Sequence, residues 1–202
     1  MSIKKIIWML LLCLACGGGP AVAVPVRIAT FNVLHGLDTN QDRATAGEDD
    51  DYAAVLGILN RVQPDIVAFQ ELYARDLPDL ISLAATLDYP YYAMISGPGS
   101  AMMTSTHKLG ILSRFPIDSS VEVEETFADP LAAEFTRRPL HAKILVPGAL
   151  NPLHVLAVHT RSGTTEKAKR LWRGIEAYRI QQYIDRLLEA DPLDTEYILL
   201  GD

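Results

Sequence analysis

Hydrophobic and polar positions change period along the chain, and the changes outline a mixture of strands and helices. Residues 26–33 form an apolar strand that breaks at His35-Gly36. Residues 37–51 are polar and acid-rich around Gly47, which predicts a loop whose last acids, Asp49, Asp50 or Asp51, cap a helix. Tyr52, Val55, Leu59 and Val62 then recur at helical spacing until Pro64. In residues 65–71 a continuous apolar run, Ile66-Val67-Ala68-Phe69, gives way to Gln70-Glu71, the pattern of a buried strand. A second helix is predicted over 76–87, with Leu77, Leu80, Ile81, Ala84 and Leu87 inward. Residues 91–95 and 109–112 read as paired strands around the stretch 96–105, and Pro116 precedes a strand expected at 121–126. After a loop at 127–136, strands at 140–146 and 153–159 flank the turn 147–152. Ser162 or Thr164 is expected to cap the longest helix, which reaches about Ala190 with Ala168, Leu171, Ile175, Tyr178 and Leu188 near one face. Asp191-Pro192 stops it before a last strand at 196–200.

Several strands follow each other directly, so the chain is not a uniform alternation of parallel units. Two sheets with helices outside fit both features, in a single α/β domain without repeats or linkers. The 202 residues, 49% hydrophobic and 21% charged, are enough for one buried core.

The first 23 residues read differently. Lys4 and Lys5 precede an apolar run at 6–15, Gly17-Gly18-Gly19-Pro20 breaks it, and Ala21-Val22-Ala23 supplies a small-x-small cleavage site. The run is shorter than the roughly 20 residues that span a bilayer. A signal peptide cleaved after Ala23 is expected, leaving residues 24–202 as a secreted or periplasmic domain. The alternative is a lipid anchor on Cys16, because Leu14-Ala15-Cys16 loosely follows a lipoprotein box in which Cys13 occupies a usually aliphatic position. Cys13 and Cys16 are the only cysteines, so a domain cleaved after Ala23 has neither disulfides nor thiolate ligands. Without Lys4 and Lys5, 16 basic residues face 25 acidic ones, a formal charge of −9 that argues against nonspecific polyanion binding.

Four predicted strands end in groups that a core does not need: Asn32, Gln70-Glu71, His159 and Asp202. Ligands gather beyond strand ends in layered α/β proteins. Two carboxylates, an amide and an imidazole suit a hard cation acting on a phosphate ester.

The stretches Ala29-Thr30-Phe31-Asn32-Val33, Pro64-Asp65-Ile66-Val67-Ala68-Phe69-Gln70-Glu71 and Ile111-Leu112-Ser113-Arg114-Phe115-Pro116-Ile117 carry a family likeness. Arg138-Pro139-Leu140, Val158-His159-Thr160 and Leu199-Leu200-Gly201-Asp202 complete it. In this order they resemble the endonuclease/exonuclease/phosphatase superfamily, the DNase I-like fold. The resemblance implies a four-layer α-β-β-α sandwich and a metal-dependent phosphoester hydrolase using Mg²⁺, with Mn²⁺ as the alternative ion. Glu71 matches the metal-binding glutamate, and Asn32 the amide that helps hold phosphate and metal. His159 matches the histidine that hydrogen-bonds the phosphoryl oxygen, and Asp202 the aspartate that orients or deprotonates water. Arg138 is placed as a phosphate contact, although its facing relative to the adjacent Arg137 is open. His35 and His107 flank site loops without matching a required position. Leu34 stands where some DNA-repair members carry a metal-ligand aspartate, which disfavours that subgroup.

The resemblance implies a phosphoester substrate (nucleic acid, phospholipid head group or small phosphate ester), no protein partner and a monomer. The family continues beyond Gly-Asp with x-Asn, a further aspartate and a Ser-Asp-His-like ending, whereas Asp202 is the last residue here. The expectation is therefore a domain incomplete at its C-terminus, catalytic at full length and inactive as residues 24–202. The alternative is a noncatalytic binding protein or inactive fragment that keeps the fold.

Overall fold

The computed structural model describes residues 25–34, 37, 51–95, 107–123, 135, 137–163 and 165–202. The leader, the caps expected at Asp49 and Asp50, His35 and Thr164 lie outside these. Eight strands and three α-helices are described: β1 (Ile28–Asn32), α1 (Asp51–Val62), β2 (Ile66–Tyr73), α2 (Leu77–Thr86), β3 (Tyr91–Met94), β4 (His107–Ser113), β5 (Ile117–Glu122), β6 (Leu140–Ile144), β7 (Leu153–Val158), α3 (Lys167–Ala190) and β8 (Tyr197–Gly201).

The strands form two four-stranded sheets, ordered β1-β2-β4-β3 and β5-β6-β7-β8. Among the described strands only β1/β2 and β7/β8 are parallel. These are the two pairs joined by a helical crossover, α1 and α3, which a parallel connection requires. The antiparallel pairs use shorter links. The sheets stack with β1 against β8 and β2 against β7 and β8. The C-terminal ends of both parallel pairs therefore meet at one edge of the sandwich.

Alternation along β2 explains its uninterrupted apolar run. Ile66 and Ala68 point between the sheets, where they meet Ile111, Ala142, Ile144, Val155 and Ala157. Val67 and Phe69 point outward against Val55, Leu59, Leu80 and Leu83 of α1 and α2. Leu156 and Val158 on the other sheet pack beneath Ile180, Tyr183 and Ile184 of α3. Helices thus pack on the outer faces of both sheets, giving the four-layer sandwich. Each fully buried Leu or Ile contributes about 1.5–3 kcal/mol. Among the described residues no helix is long and apolar enough to cross a membrane.

Three expectations need correction. The strand expected at 121–126 runs instead from Ile117 to Glu122. It is an edge strand whose middle residues Asp118, Ser119 and Ser120 are exposed, so main-chain pairing with β6 holds it without an apolar pattern. The longest helix starts at Lys167 with Glu166 at its N-cap and no side-chain cap, so Ser162 does not cap it. Residues 160–163 instead tie back to the helix: Glu176 accepts the Arg161 N–H at 2.8 Å, and Arg173 donates to the carbonyls of Arg161 and Gly163. The inner face also differs, since Glu176, Arg179 and Ile180 are buried while Leu171 and Tyr178 are exposed. Apolar residues surround this helix, and the polar anchors of Glu176 select the face that docks.

Beneath α3 lies a buried polar chain. His154 donates through Nε2 to Asp194 at 2.7 Å, and its Nδ1 lies 2.9 Å from His141 Nε2. His141 Nδ1 lies 2.8 Å from the Tyr183 hydroxyl. One tautomer set satisfies every partner: Tyr183 donates to His141, His141 to His154, and His154 to Asp194. Burial pushes His141 down to about 4, reinforced by His154 and Lys143 and opposed by Asp194. Between pH 6.5 and 4 the unfolded chain therefore takes up a proton that folded His141 refuses, so stability falls as pH falls. From pH 7 to pH 4 this group should remove about 3 kcal/mol. Urea midpoints across that range are expected to decline less steeply in His141→Gln than in the wild-type protein.

Candidate active site

The site forms where β1, β2, β7 and β8 end. Asn32 closes β1, and its Oδ1 accepts the N–H of Leu34 at 2.9 Å across a tight turn in which Leu34 has φ 41°. With Oδ1 so occupied, Nδ2 donates to Glu71 Oε1 and to Asp202 Oδ2, both at 2.9 Å. One amide thus joins two carboxylates from different sheets.

Glu71 reaches this position through a β-bulge. Phe69 pairs with Gly110 and Leu72 with Lys108, which leaves one extra residue on β2. Bulges bend a strand and re-aim its side chains. Glu71 adopts φ 67°, a conformation that costs a non-glycine residue about 1–3 kcal/mol. Its neighbour Gln70 turns inward, accepting from Thr30 Oγ1 at 3.1 Å and donating to the Ala68 carbonyl at 3.3 Å. Gln70 therefore supports the bulge, while Glu71 faces the cluster.

The second sheet supplies His159 and Asp202. His159 follows β7, is nearly buried, and places Nε2 3.6 Å from Glu71 Oε1. Asp202 follows Gly201, and its N–H donates to the Val158 carbonyl at 3.4 Å. The Thr160 N–H returns a 3.0 Å bond to the Asp202 carbonyl. Gly201 has φ 154°, and a Cβ there would sit 1.9 Å from the Val158 oxygen. Only glycine lets β8 run this close to β7.

Asn32, Glu71, His159 and Asp202 are thus brought together. Arg138 leans the other way, toward the edge strand, with Nη1 3.8 Å from Glu122 Oε1. Its neighbour Arg137 turns toward β7, donating to the Thr160 carbonyl at 3.1 Å, with Glu71, Glu176 and Asp202 as the charges it faces. Facing decides between the two arginines, and adjacent residues give no sequence signal for it. His107 also joins the cluster, 4.0 Å from Glu71, although the apolar pattern of its strand starts only at Leu109.

Burial lowers the His159 pKa, Arg137 adds to the effect and His107 adds less, while Glu71 and Asp202 oppose it. Burial also lowers the Arg137 pKa against the pull of Glu71, Glu176 and Asp202. The result is a carboxylate pair next to a guanidinium and a largely buried imidazole. Among the described residues no group of three or more His, Cys, Asp or Glu is arranged to cage a metal ion. Two carboxylates beside an amide match Mg²⁺, which keeps several water ligands and needs one or two carboxylates. The donor set therefore fits the ion that the fold implies.

Solved structures show the same architecture. Sphingomyelinase C from Streptomyces griseocarneus superposes over 89% of this chain and 64% of its own, with TM-score 0.62 and 22% identity. A β-hairpin deletion mutant of beta toxin from Staphylococcus aureus matches over 89% of this chain and 67% of its own, with TM-score 0.60 and 17% identity. A humanized TDP2 of D. rerio matches over 88% and 61%, with TM-score 0.59 and 22% identity. The chain therefore spans between 61% and 67% of the length of these structures. A comparison with curated proteins finds no match. Residues 29–202 match the Endonuclease/Exonuclease/phosphatase family, and the chain belongs to that family of phosphoester hydrolases.

Proposed function

We propose that this chain carries the active site of an exported, Mg²⁺-dependent phosphoester hydrolase. The observation that carries the reading is the Asn32 amide, which holds Glu71 and Asp202 at 2.9 Å each and fixes two carboxylates from two sheets in one place. Glu71, with the Asn32 amide beside it, would hold the ion, which when bound polarises a phosphoryl oxygen and eases departure of the leaving group. Asp202, exposed at its strand end, orients the attacking water and accepts its proton. Arg137 meets the negative phosphoryl oxygens with a planar, bidentate donor pair. His159 donates to the same oxygens, where fixed donors stabilise developing charge.

The mature charge of −9 favours a small or lipid-borne phosphoester over a nucleic-acid duplex. Export rests on the leader in residues 1–23, and a mature N-terminus at Val24 would check it.

The test is turnover of a panel by the full-length protein: a chromogenic phosphodiester, a phosphomonoester, single-stranded DNA and choline-headgroup phospholipid vesicles. Hydrolysis of at least one, dependent on Mg²⁺ and stopped by chelation, is expected. No turnover on any of them, or a rate indifferent to chelator, would instead indicate a noncatalytic protein that keeps the fold.

A further inference from the structure

Past the bulge, β2 and β4 regain register, with Leu72 opposite Lys108 and Tyr73 opposite His107. Across the ladder from Tyr73, His107 contacts both Tyr73 and the bulged Glu71. The rings of Tyr73 and His107 meet edge-on, 5.1 Å apart at 63°. His107 Nε2 lies 3.3 Å from the Tyr73 hydroxyl, and Nδ1 lies 4.0 Å from Glu71 Oε2. The Arg75 guanidinium lies 5.0 Å from the centre of the Tyr73 ring, steadying the residue at the far end of this row.

The two oxygens of Glu71 thus have different attendants. Oε1 faces Asn32 and His159, which come from other strands, and Oε2 faces His107. A carboxylate on a bulged, positive-φ residue lacks the fixed direction that a regular strand provides. We propose that His107 is a positioning residue: Tyr73 donates its hydroxyl proton to Nε2, leaving the ring proton on Nδ1, directed at Oε2 of Glu71. This holds the carboxylate in its metal-receiving orientation. The role rests on the reading of Glu71 as a metal-binding group.

Outer partners that orient ligating side chains change metal affinity by about 10–100-fold when removed. The probe is Mn²⁺ alone, titrated into the full chain without substrate and followed by the electron paramagnetic resonance signal of the free ion. His107→Leu should weaken Mn²⁺ binding by about tenfold, within that range. His107→Asn, which keeps a donor near the Nδ1 position, should stay within about twofold of wild type, and Tyr73→Phe should fall between them. Melting temperatures measured in parallel separate this from a general loss of structure, which would not be rescued selectively by asparagine.

Wild-type Mn²⁺ affinity in His107→Leu, together with lost binding in Glu71→Ala, would overturn the role of His107 and leave the site intact. Wild-type affinity in Glu71→Ala would overturn the site itself. If His107→Leu does not fold, the ring nitrogens of wild-type His107 decide by nuclear magnetic resonance. A proton on Nδ1 supports the proposal, and a proton on Nε2 refutes it.

Discussion

Glu71→Ala should lower kcat/KM for phosphoester hydrolysis by at least about 10³-fold, a loss of about 4 kcal/mol in transition-state stabilisation. The carboxylate sits at the meeting point of the site, bonded to Asn32 and within 3.6 Å of His159. Its removal would take away a carboxylate that the proposed ion needs and leave the Asn32 amide bonded to Asp202 alone. The loss should appear in kcat as well as KM, because a bound ion would act most strongly on the charge that develops in the transition state. Stability should move differently. Glu71 has φ 67° and faces a second carboxylate, so Glu71→Gly should be inactive yet about 1 kcal/mol more stable than Glu71→Ala. Paired kinetics and urea unfolding of the two variants check both halves. Comparable activity in wild type and Glu71→Ala would remove the basis for the proposed mechanism.

Gly201→Ala should cost about 4 kcal/mol or more, which lies in the rare upper tail for single substitutions. The added methyl would sit 1.9 Å from the Val158 carbonyl oxygen and 2.8 Å from both its carbon and Cγ2. Backbone cannot yield as a side chain does, so β8 must separate from β7. At φ 154° alanine adds strain of its own. Separation would break the bonds of Asp202 with Val158 and of Thr160 with Asp202, and would carry Asp202 away from Asn32. Activity should fall with stability, unlike the pattern at Glu71→Gly. A soluble Gly201→Ala protein with the wild-type urea midpoint would falsify this account of the strand pair.

The strand ends of the site were readable from sequence because each followed a short, mainly apolar run that ended abruptly. Ile66-Val67-Ala68-Phe69 before Gln70-Glu71 and Val155–Val158 before His159 are core strands on both faces, so polarity at their ends stands out. What sequence did not show depends on facing and register. Arg137 and Arg138 are adjacent, and only the geometry of the β6 entry sends one to Thr160 and the other to Glu122. The bulge at Glu71 adds a residue without any compositional mark, and with it the approach of His107. The edge strand β5 has serines at its centre, so nothing in its pattern separates it from a loop. The helix α3 docks through Glu176 and Ile180 because polar anchors choose among several apolar stripes. The His141–His154–Asp194 chain joins two strands and a turn, a grouping that appears only once β6 and β7 pair.

Because Asn32, Glu71 and His107 belong to one sheet and Arg137, His159 and Asp202 to the other, the cluster behaves like a vernier across the sandwich. A slide of one sheet over the other by a fraction of an ångström would leave each half intact and the pair out of alignment. The small residues between the sheets, Ala68, Ala142 and Ala157, let the layers approach closely, and so they set the alignment from a distance. The interior of this domain is therefore part of the site's tolerance, and methyl groups far from Glu71 and Asp202 would be felt there.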